Sequence, residues 1–327
     1  MTGSEDSTGS LYQKYLENKH NTFQTPEKLI EAMVKKATGS ELVQRKRIIA
    51  GEVNEVYGVT TKDERDVVVR ISRQGKNNFE TEEKVIRLVR MAGVPAPKVL
   101  LIEQAPSESE NLTFCIEEKI EGEPLLSLMD SMDKSTLKSI ASEAGEVLSK
   151  INGISVDNFG PLDGSRFFKT WGDYIFNIEK RRGGITAAGK LVGLRTSLIN
   201  KAFELLRKNE EMFQIKDAHL LHGDFGPKHL LIMDNHITGI LDFEGAKGGD
   251  PVRDLAWLNF FYSDSFSIDW LKVGYENKDI FNKDFDLKMK LYRLHLGLDL
   301  LEYYGSEKNE SGMIHTKERF TKELGNF

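Results

Sequence analysis

The segment from His219 to Phe243 constrains the fold of this 327-residue chain more than any other stretch of its sequence. It contains an apolar run, a His-Gly-Asp turn, a second apolar run LLIM and a third run ITGIL that leads to Asp242. These runs are short and are bounded by turn-forming residues, which is the pattern of strands rather than helices. The sequence therefore predicts a hairpin-like arrangement whose strand ends carry Asp224, His229 and Asp242.

The three side chains at these strand ends suit the chemistry of phosphoryl transfer. That reaction needs a carboxylate to orient an attacking hydroxyl, and further ligands to hold Mg²⁺ against the nucleotide phosphates. Asp224 suits the first task, and Asp242 together with His229 suits the second. Two aspartates that follow, Asp250 and Asp254, are interpreted as supports, one capping the next helix and one bracing the loop.

The residues before position 121 favour a small sheet, and those after it favour long helices. Before it, strands are predicted at 42–49, 53–60, 66–71, 98–102 and 112–119, with helices at 25–36 and 78–92. After it, helices are predicted at 135–151, 171–182, 191–209, 254–262 and 286–304. The chain is therefore predicted to be an α+β protein with an N-lobe over 23–120, a C-lobe over 121–327 and a disordered lead over 1–22.

Composition excludes several classes of protein. A net charge of −6 and a pI near 5.8 argue against nucleic acid as a partner, because binding to a phosphate backbone requires a basic surface. The sequence has no apolar run long enough to span a membrane, and its first residues lack the pattern of a signal peptide. The single cysteine, Cys115, excludes an internal disulfide or a thiolate metal cluster, so we expect a cytoplasmic protein.

Two motifs resemble those of a known family. HGDFGPKH and ILDFEGAKGGDPVRDLAWL are similar to the His-x-Asp-x-x-x-x-Asn and Ile-Asp-Trp/Phe-Glu segments of the aminoglycoside phosphotransferase and choline kinase family. The resemblance implies a bilobal protein-kinase-like fold with a small antiparallel-sheet N-lobe and a larger, mostly helical C-lobe. It also implies ATP or GTP and Mg²⁺ as cofactors, bound between the lobes, and transfer of the γ-phosphate to a small-molecule hydroxyl.

The same resemblance gives roles to the residues of the motifs. Asp224 is expected to be the catalytic base, and Asp242 and His229 are expected to be the metal ligands. His229 stands where most of the family has Asn, and imidazole is a softer ligand for Mg²⁺ than an amide oxygen. Gly226 stands where protein kinases have a lysine, which favours a small-molecule acceptor over a protein.

The N-lobe resembles the family more weakly. Gly51 and Asn54 lie in a segment similar to the nucleotide-covering loop, and Arg70 lies where the family places the basic residue that contacts the α/β-phosphates. We expect Glu82 to pair with Arg70, with Glu83 as the second candidate.

The segment from Phe114 to Gly122 resembles the family's hinge strand, whose backbone would bind the adenine edge, and Glu118 is its candidate nucleotide contact.

Two alternatives to a kinase follow from the same residues. One is a catalytically degenerate nucleotide-binding module, because His229 departs from the family pattern. The other is a metal-dependent hydrolase, since four of the seven histidines lie at 219, 222, 229 and 236. Among kinase acceptors, an aminoglycoside-like compound, a sugar and an amino alcohol all fit the pattern. The sequence leaves ATP versus GTP and the oligomeric state open.

Overall fold

A computed structural model describes residues 5–49, 51, 53–73, 78–107 and 110–327 of the chain. The chain forms two compact units. The N-terminal unit contains residues up to Gly122 together with Leu231–Met233 and Thr238–Glu244, and the C-terminal unit contains the remainder. The first unit thus includes two short segments from the later part of the chain, which the sequence had not indicated.

The N-terminal unit begins with helices and continues mainly as strands. Its helices are α1 (Glu5–Asn21), α2 (Glu27–Thr38) and α3 (Phe79–Met91). Its strands are β1 (Leu42–Ile48), β2 (Glu55–Thr61), β3 (Asp66–Arg73), β4 (Val99–Pro106) and β5 (Asn111–Glu118). Among the described residues these strands form an antiparallel sheet in the order β1-β2-β3-β5-β4.

The core of this unit lies on one face of the sheet, where α2 packs. Val67, Val69 and Ile71 alternate along β3 on this face, as expected for a half-buried strand. Ile30 and Val34 of α2, one helical turn apart, are fully buried against them. The sheet and α3 together position the basic residue of β3, Arg70.

The prediction of a disordered lead over 1–22 was wrong for most of that range. Helix α1 spans Glu5–Asn21, and residues 1–4 lie outside the described residues. Leu16 and His20 are buried, with 5% and 1% of their surfaces exposed, so the helix is anchored by packing. The composition of this segment, rich in Gly, Ser, Thr and Asn, hid the helix because such residues have low helix propensity.

The C-terminal unit is mainly helical. Its helices are α4 (Leu125–Leu128), α5 (Lys134–Asn152), α6 (Trp171–Phe176), α7 (Arg182–Leu191), α8 (Thr196–Lys208), α9 (Val252–Tyr262), α10 (Ile268–Gly274), α11 (Phe285–Ser306) and α12 (Glu310–Leu324). The helix predicted at 191–209 begins only at Thr196, because Gly193 adopts a left-handed conformation with φ of 70°. Helices α4, α7, α10 and α12 were not predicted. The α+β fold with an antiparallel sheet and a mostly helical second unit is confirmed.

Seven short strands follow β5 in the described part of the chain. They are β6 (Glu123–Pro124), β7 (Ser155–Val156), β8 (Gly160–Pro161), β9 (Ala218–Leu221), β10 (Leu230–Met233), β11 (His236–Ile240) and β12 (Lys247–Gly249). In the C-terminal unit, β7, β9, β12 and β8 form a small sheet in that order. This sheet places the end of β9 beside the start of α9.

Strands β10 and β11 are neighbours in one sheet and form the predicted hairpin. Asp234 and Asn235 occupy the turn with φ values of 53° and 64°, and His236 already belongs to β11. Positive φ at both positions is the geometry of a type I′ turn, in which Asn and Asp are favoured. Of the helices in the described residues, none is long and apolar enough to cross a membrane.

Candidate active site

A tight turn after β9 carries Asp224. Gly223 has a φ of 86°, and a Cβ atom there would lie 2.0 Å from the carbonyl oxygen of Gly245, so only glycine fits. The amides of His222 and Gly223 donate hydrogen bonds of 2.8 and 2.9 Å to the two carboxylate oxygens of Asp254. Because Asp254 is fully buried at the start of α9, the turn is fixed to that helix. The prediction that one of the two later aspartates braces this loop is confirmed.

The other supporting aspartate, Asp250, lies at the beginning of α9. Its Oδ1 accepts a hydrogen bond of 3.0 Å from the amide of Val252, the first residue of α9, whereas the N-cap position itself is Pro251 and has no side-chain cap. Asp250 therefore supports the start of α9 from one residue before the N-cap. Its Oδ2 accepts bonds of 2.8 Å from Lys288 and from the hydroxyl of Tyr292. These contacts tie the start of α9 to α11.

The Asp224 carboxylate accepts hydrogen bonds on both oxygens. Trp257 Nε1 donates to Oδ1 at 2.8 Å, and Lys228 Nζ donates to Oδ2 at 2.8 Å. His229 Nε2 lies 3.2 Å from the same Oδ2. Burial alone would raise the pKa of this carboxyl group, but the hydrogen bond with His229 and the charge of Lys228 hold it below its ordinary value of 3.8. Asp224 is therefore an ionised carboxylate at neutral pH.

Arg70 in the N-terminal unit is surrounded by carboxylates. Its Nη1 lies 2.8 Å from Oε1 of Glu82 and 3.1 Å from Oε1 of Glu117, and its Nη2 lies 3.6 Å from Oε2 of Glu244. The predicted pairing with Glu82, rather than with Glu83, is thus present. Burial lowers the pKa of Arg70, but the carboxylates raise it further, so the guanidinium stays charged.

Asn54 and Gly51 lie near the beginning of β2. Asn54 is buried, and its Nδ2 donates a 3.3 Å hydrogen bond to Oε2 of Glu244, which connects it to the Arg70 cluster. Gly51 has a φ of 74°, and its carbonyl oxygen lies 3.0 Å from Nε2 of His20 in α1. Ala50 and Glu52 of the predicted nucleotide-covering loop lie outside the described residues.

Glu118 ends β5 on the surface of the N-terminal unit. Its amide donates a 2.9 Å hydrogen bond to the carbonyl oxygen of Lys98, and its carboxylate lies 3.2 Å from Nζ of the same lysine. Since the amide is engaged with Lys98, a backbone contact with adenine at Glu118 would use its carbonyl oxygen. The role predicted for this residue stays a prediction.

Asp242 fits a magnesium ligand. It follows β11 with a φ of 69°, a conformation that is uncommon outside glycine and is often found at functional sites. Its carboxylate acts electrostatically on Arg70, as do those of Glu82 and Glu117. Carboxylates therefore outnumber the guanidinium in this cluster, and a divalent cation with a preference for oxygen ligands would offset the excess negative charge.

Several residues of the site were missed by the sequence analysis. Glu117 and Glu244 join the Arg70 cluster, while Lys228 and Trp257 contact Asp224. Lys228 had a local signal, because it lies four residues after Asp224 and so can reach back across one turn. Trp257 had none, since its contact depends on the packing of α9 against the turn.

A family of known proteins matches most of this chain. Residues 44–276 match the model of the phosphotransferase enzyme family. The chain belongs to this family. The matched residues include the Arg70 cluster, the Asp224 turn and α9, whereas α1 precedes them.

The hygromycin-B 4-O-kinase of Escherichia coli is a relative of this phosphotransferase. The two are 26% identical over 232 residues, which cover 69% of this chain and 64% of the relative. The chain thus matches a little less than two thirds of the relative's length.

Solved structures show the same fold. A thermostable mutant of the aminoglycoside phosphotransferase APH(4)-Ia, in a ternary complex with ADP and hygromycin B, has a TM-score of 0.72 and 20% identity, and covers 90% of this chain and 98% of that one. A complex of another aminoglycoside phosphotransferase, APH(2″), with GDP and kanamycin has a TM-score of 0.66 and 17% identity, with coverages of 90% and 98%. These similarities establish the protein-kinase-like fold.

Proposed function

We propose that this protein transfers the γ-phosphate of ATP or GTP to a hydroxyl group of an aminoglycoside-like, sugar or amino-alcohol acceptor. The observation that carries the proposal is the ionised carboxylate of Asp224, held on a glycine turn by Trp257, Lys228 and His229 in a chain of the phosphotransferase family. A carboxylate in this setting can accept a hydrogen bond from an alcohol and orient its oxygen for attack.

The reaction would need little covalent help from the protein. Asp224 would orient the acceptor hydroxyl and receive its proton. The hydroxyl oxygen would form a bond to the γ-phosphorus as the bond between that phosphorus and the nucleoside diphosphate breaks. The ammonium group of Lys228, 2.8 Å from Asp224, would reduce the negative charge that the phosphoryl group approaches.

The N-terminal unit would hold the nucleotide. Arg70, fixed by Glu82 and Glu117, would contact the α/β-phosphates, and the segment from Gly51 to Asn54 would cover them. The strand that ends at Glu118 would contact the adenine or guanine base through its backbone.

Mg²⁺ would neutralise charge on the phosphates when bound, with Asp242 and His229 as its proposed protein ligands. Asp242 supplies the carboxylate oxygen that this ion prefers. It belongs to the Arg70 cluster, in which carboxylates outnumber the single guanidinium. His229 supplies an imidazole whose Nε2 lies 3.2 Å from Asp224 Oδ2. This nitrogen can donate a hydrogen bond to Asp224 or, without its proton, bind the ion, but it cannot do both at once. The assignment of His229 rests on its position in the family motif.

The acceptor class is supported by the relatives. The curated relative is a hygromycin-B kinase, and the two structural neighbours were solved with hygromycin B or kanamycin. An aminoglycoside-like polyol amine is thus the first acceptor to test. The overall charge of −6 also suits a cationic compound.

The metal-dependent hydrolase is less favoured, because two of its four histidines make other contacts. His222 is fully buried, and its Nδ1 accepts a hydrogen bond from the Asp224 amide at 3.3 Å. His236 has 77% of its side chain exposed and lies 3.4 Å from Oε2 of Glu143. These placements do not suit a shared zinc site.

The test is nucleotide consumption by the purified protein with Mg²⁺ and either ATP or GTP, across a panel of aminoglycosides, sugars and amino alcohols. Consumption that depends on one acceptor class supports the proposal and identifies that class. Nucleotide binding without turnover on any acceptor would favour the degenerate module, and the absence of nucleotide binding would overturn the proposal.

A further inference from the structure

Helix α9 holds the Asp224 turn at two points. Asp254 accepts hydrogen bonds from the amides of His222 and Gly223, and Trp257 donates its indole N–H to Oδ1 of Asp224 at 2.8 Å. Residues three positions apart lie on the same face of a helix, so Asp254 and Trp257 meet the turn together. The first fixes the backbone of the turn, and the second fixes the carboxylate.

The three donors to Asp224 differ in chemistry. Lys228 is a flexible cation with 43% of its side chain exposed, and His229 can exchange a proton. Trp257 is neutral and its indole nitrogen only donates, so it orients the carboxylate without competing for the proton of the acceptor. Its ring is also packed, with its centroid 4.9 Å from that of Phe261.

We infer that Trp257 is a positioning residue for phosphoryl transfer, which holds Oδ1 of Asp224 so that the carboxylate keeps one orientation and receives the acceptor proton at Oδ2. This inference rests on the proposed function. It concerns a residue outside the HGDFGPKH motif, and it acts through Asp224 rather than on the nucleotide. Lys228 holds Oδ2 through a side chain that is 43% exposed, whereas the indole of Trp257 is packed against Phe261.

The test compares Trp257→Phe, which keeps an aromatic ring but removes the donor, with Trp270→Phe as the matched control. Trp270 lies in α10, and the Nζ atom of Lys138 lies over its ring, 5.8 Å from the ring centroid. We expect Trp257→Phe to lower kcat about tenfold, as for the loss of one oriented hydrogen bond, with the nucleotide KM within about twofold. Trp270→Phe should match the wild type.

A double-mutant cycle separates positioning from a general structural effect. On an Asp224→Asn background, Trp257→Phe should cause little further loss of the residual rate, since its effect passes through the carboxylate. A wild-type kcat in Trp257→Phe, or an equal loss on both backgrounds, would overturn the inference. If Trp257→Phe does not fold, Trp257→Leu is measured in the same cycle. Phosphotransfer that survives Asp224→Asn would instead contradict the proposed function, so the two failures are distinguishable.

Discussion

The guanidinium of Arg70 on β3 lies 2.8 Å from the carboxylate of Glu82 on α3, and Glu82 is buried in the N-terminal unit whereas 11% of the Arg70 side chain is exposed. Glu117 contacts the same Nη1 and Glu244 approaches Nη2, so one arginine serves three carboxylates. The planar guanidinium presents two nitrogens to these carboxylates in a fixed geometry, whereas lysine would offer one ammonium group on a flexible stem. The arrangement leads to a specific expectation for nucleotide binding.

Arg70→Lys should raise the KM for the nucleotide about tenfold, with a smaller change in kcat, because the cation would lose part of its fixed orientation. Steady-state kinetics with varied nucleotide measures this effect. Arg65→Lys is the control. Arg65 is in the same unit, but it pairs with Asp63 at the surface, where 49% and 47% of the two side chains are exposed. An unchanged nucleotide KM in Arg70→Lys would remove Arg70 from the proposed phosphate site.

Glu55 makes the N-terminal unit sensitive to acid. This fully buried carboxylate accepts hydrogen bonds from Thr25, Tyr57 and Arg73. Burial raises the pKa of Glu55, but these donors hold it below the ordinary value of 4.5. Because the folded-state pKa is depressed, the stabilisation is present above the unfolded-state value and is lost as pH falls through the folded-state value.

Glu55→Gln should therefore destabilise the N-terminal unit by about 3 kcal/mol at neutral pH and flatten its acid dependence. Amide hydrogen exchange along β3, measured from about pH 7 down to about pH 3 so that it covers the range below the unfolded-state pKa, reports this unit separately from the other. Glu118→Gln, at an exposed position on β5, is the control. Equal acid sensitivity in Glu55→Gln and the wild type would assign the effect to another group.

His229→Asn should lower the Mg²⁺ concentration needed for half-maximal activity several-fold, because an amide oxygen suits this hard cation better than imidazole. The substitution also removes a contact of 3.2 Å with Asp224, so kcat at saturating Mg²⁺ should fall by a few-fold at most. Magnesium titrations with the wild type and with His229→Asn measure both quantities. An identical Mg²⁺ requirement in the two proteins would argue against His229 as a ligand.

His20 connects α1 to the predicted nucleotide-covering loop. Its Nε2 lies 3.0 Å from the carbonyl oxygen of Gly51, and its own carbonyl oxygen accepts a 2.6 Å bond from Arg47. His20→Ala should raise the nucleotide KM several-fold and leave kcat nearly unchanged, because the loop would lose a fixed point. Lys14→Ala, on the exposed face of α1, is the control. If both variants bind nucleotide as the wild type does, α1 has no part in nucleotide binding.

The features that the sequence predicted well are local ones. The turn at Gly223, the strand that delivers Asp224 and the pairing of Arg70 with Glu82 follow from short-range patterns and a family motif. Residues brought in by packing could not be predicted in this way. Trp257 reaches Asp224 across 33 positions, and Glu117 reaches Arg70 across 47. Their patterns alone suggest only an aromatic on a buried helix and an acidic residue in a strand.

Helix α1 illustrates a different limit of sequence interpretation. Local propensity argued against a helix in this segment, and tertiary contacts decided the outcome. Leu16 packs into the unit and His20 bonds to Gly51, and neither contact is visible in a hydrophobic period. Packing against the rest of a domain routinely overrides weak intrinsic propensity.

The most direct measurement is transfer of a labelled γ-phosphate to an acceptor by the wild type and by Asp224→Asn, with Asp217→Asn as the control. Asp217 is an exposed aspartate just before β9, so its substitution makes the same chemical change outside the turn. We predict a labelled acceptor with the wild type and with Asp217→Asn, and a loss of several orders of magnitude in rate with Asp224→Asn, while nucleotide affinity is nearly unchanged. Labelling of the acceptor at the wild-type rate by Asp224→Asn would contradict the account.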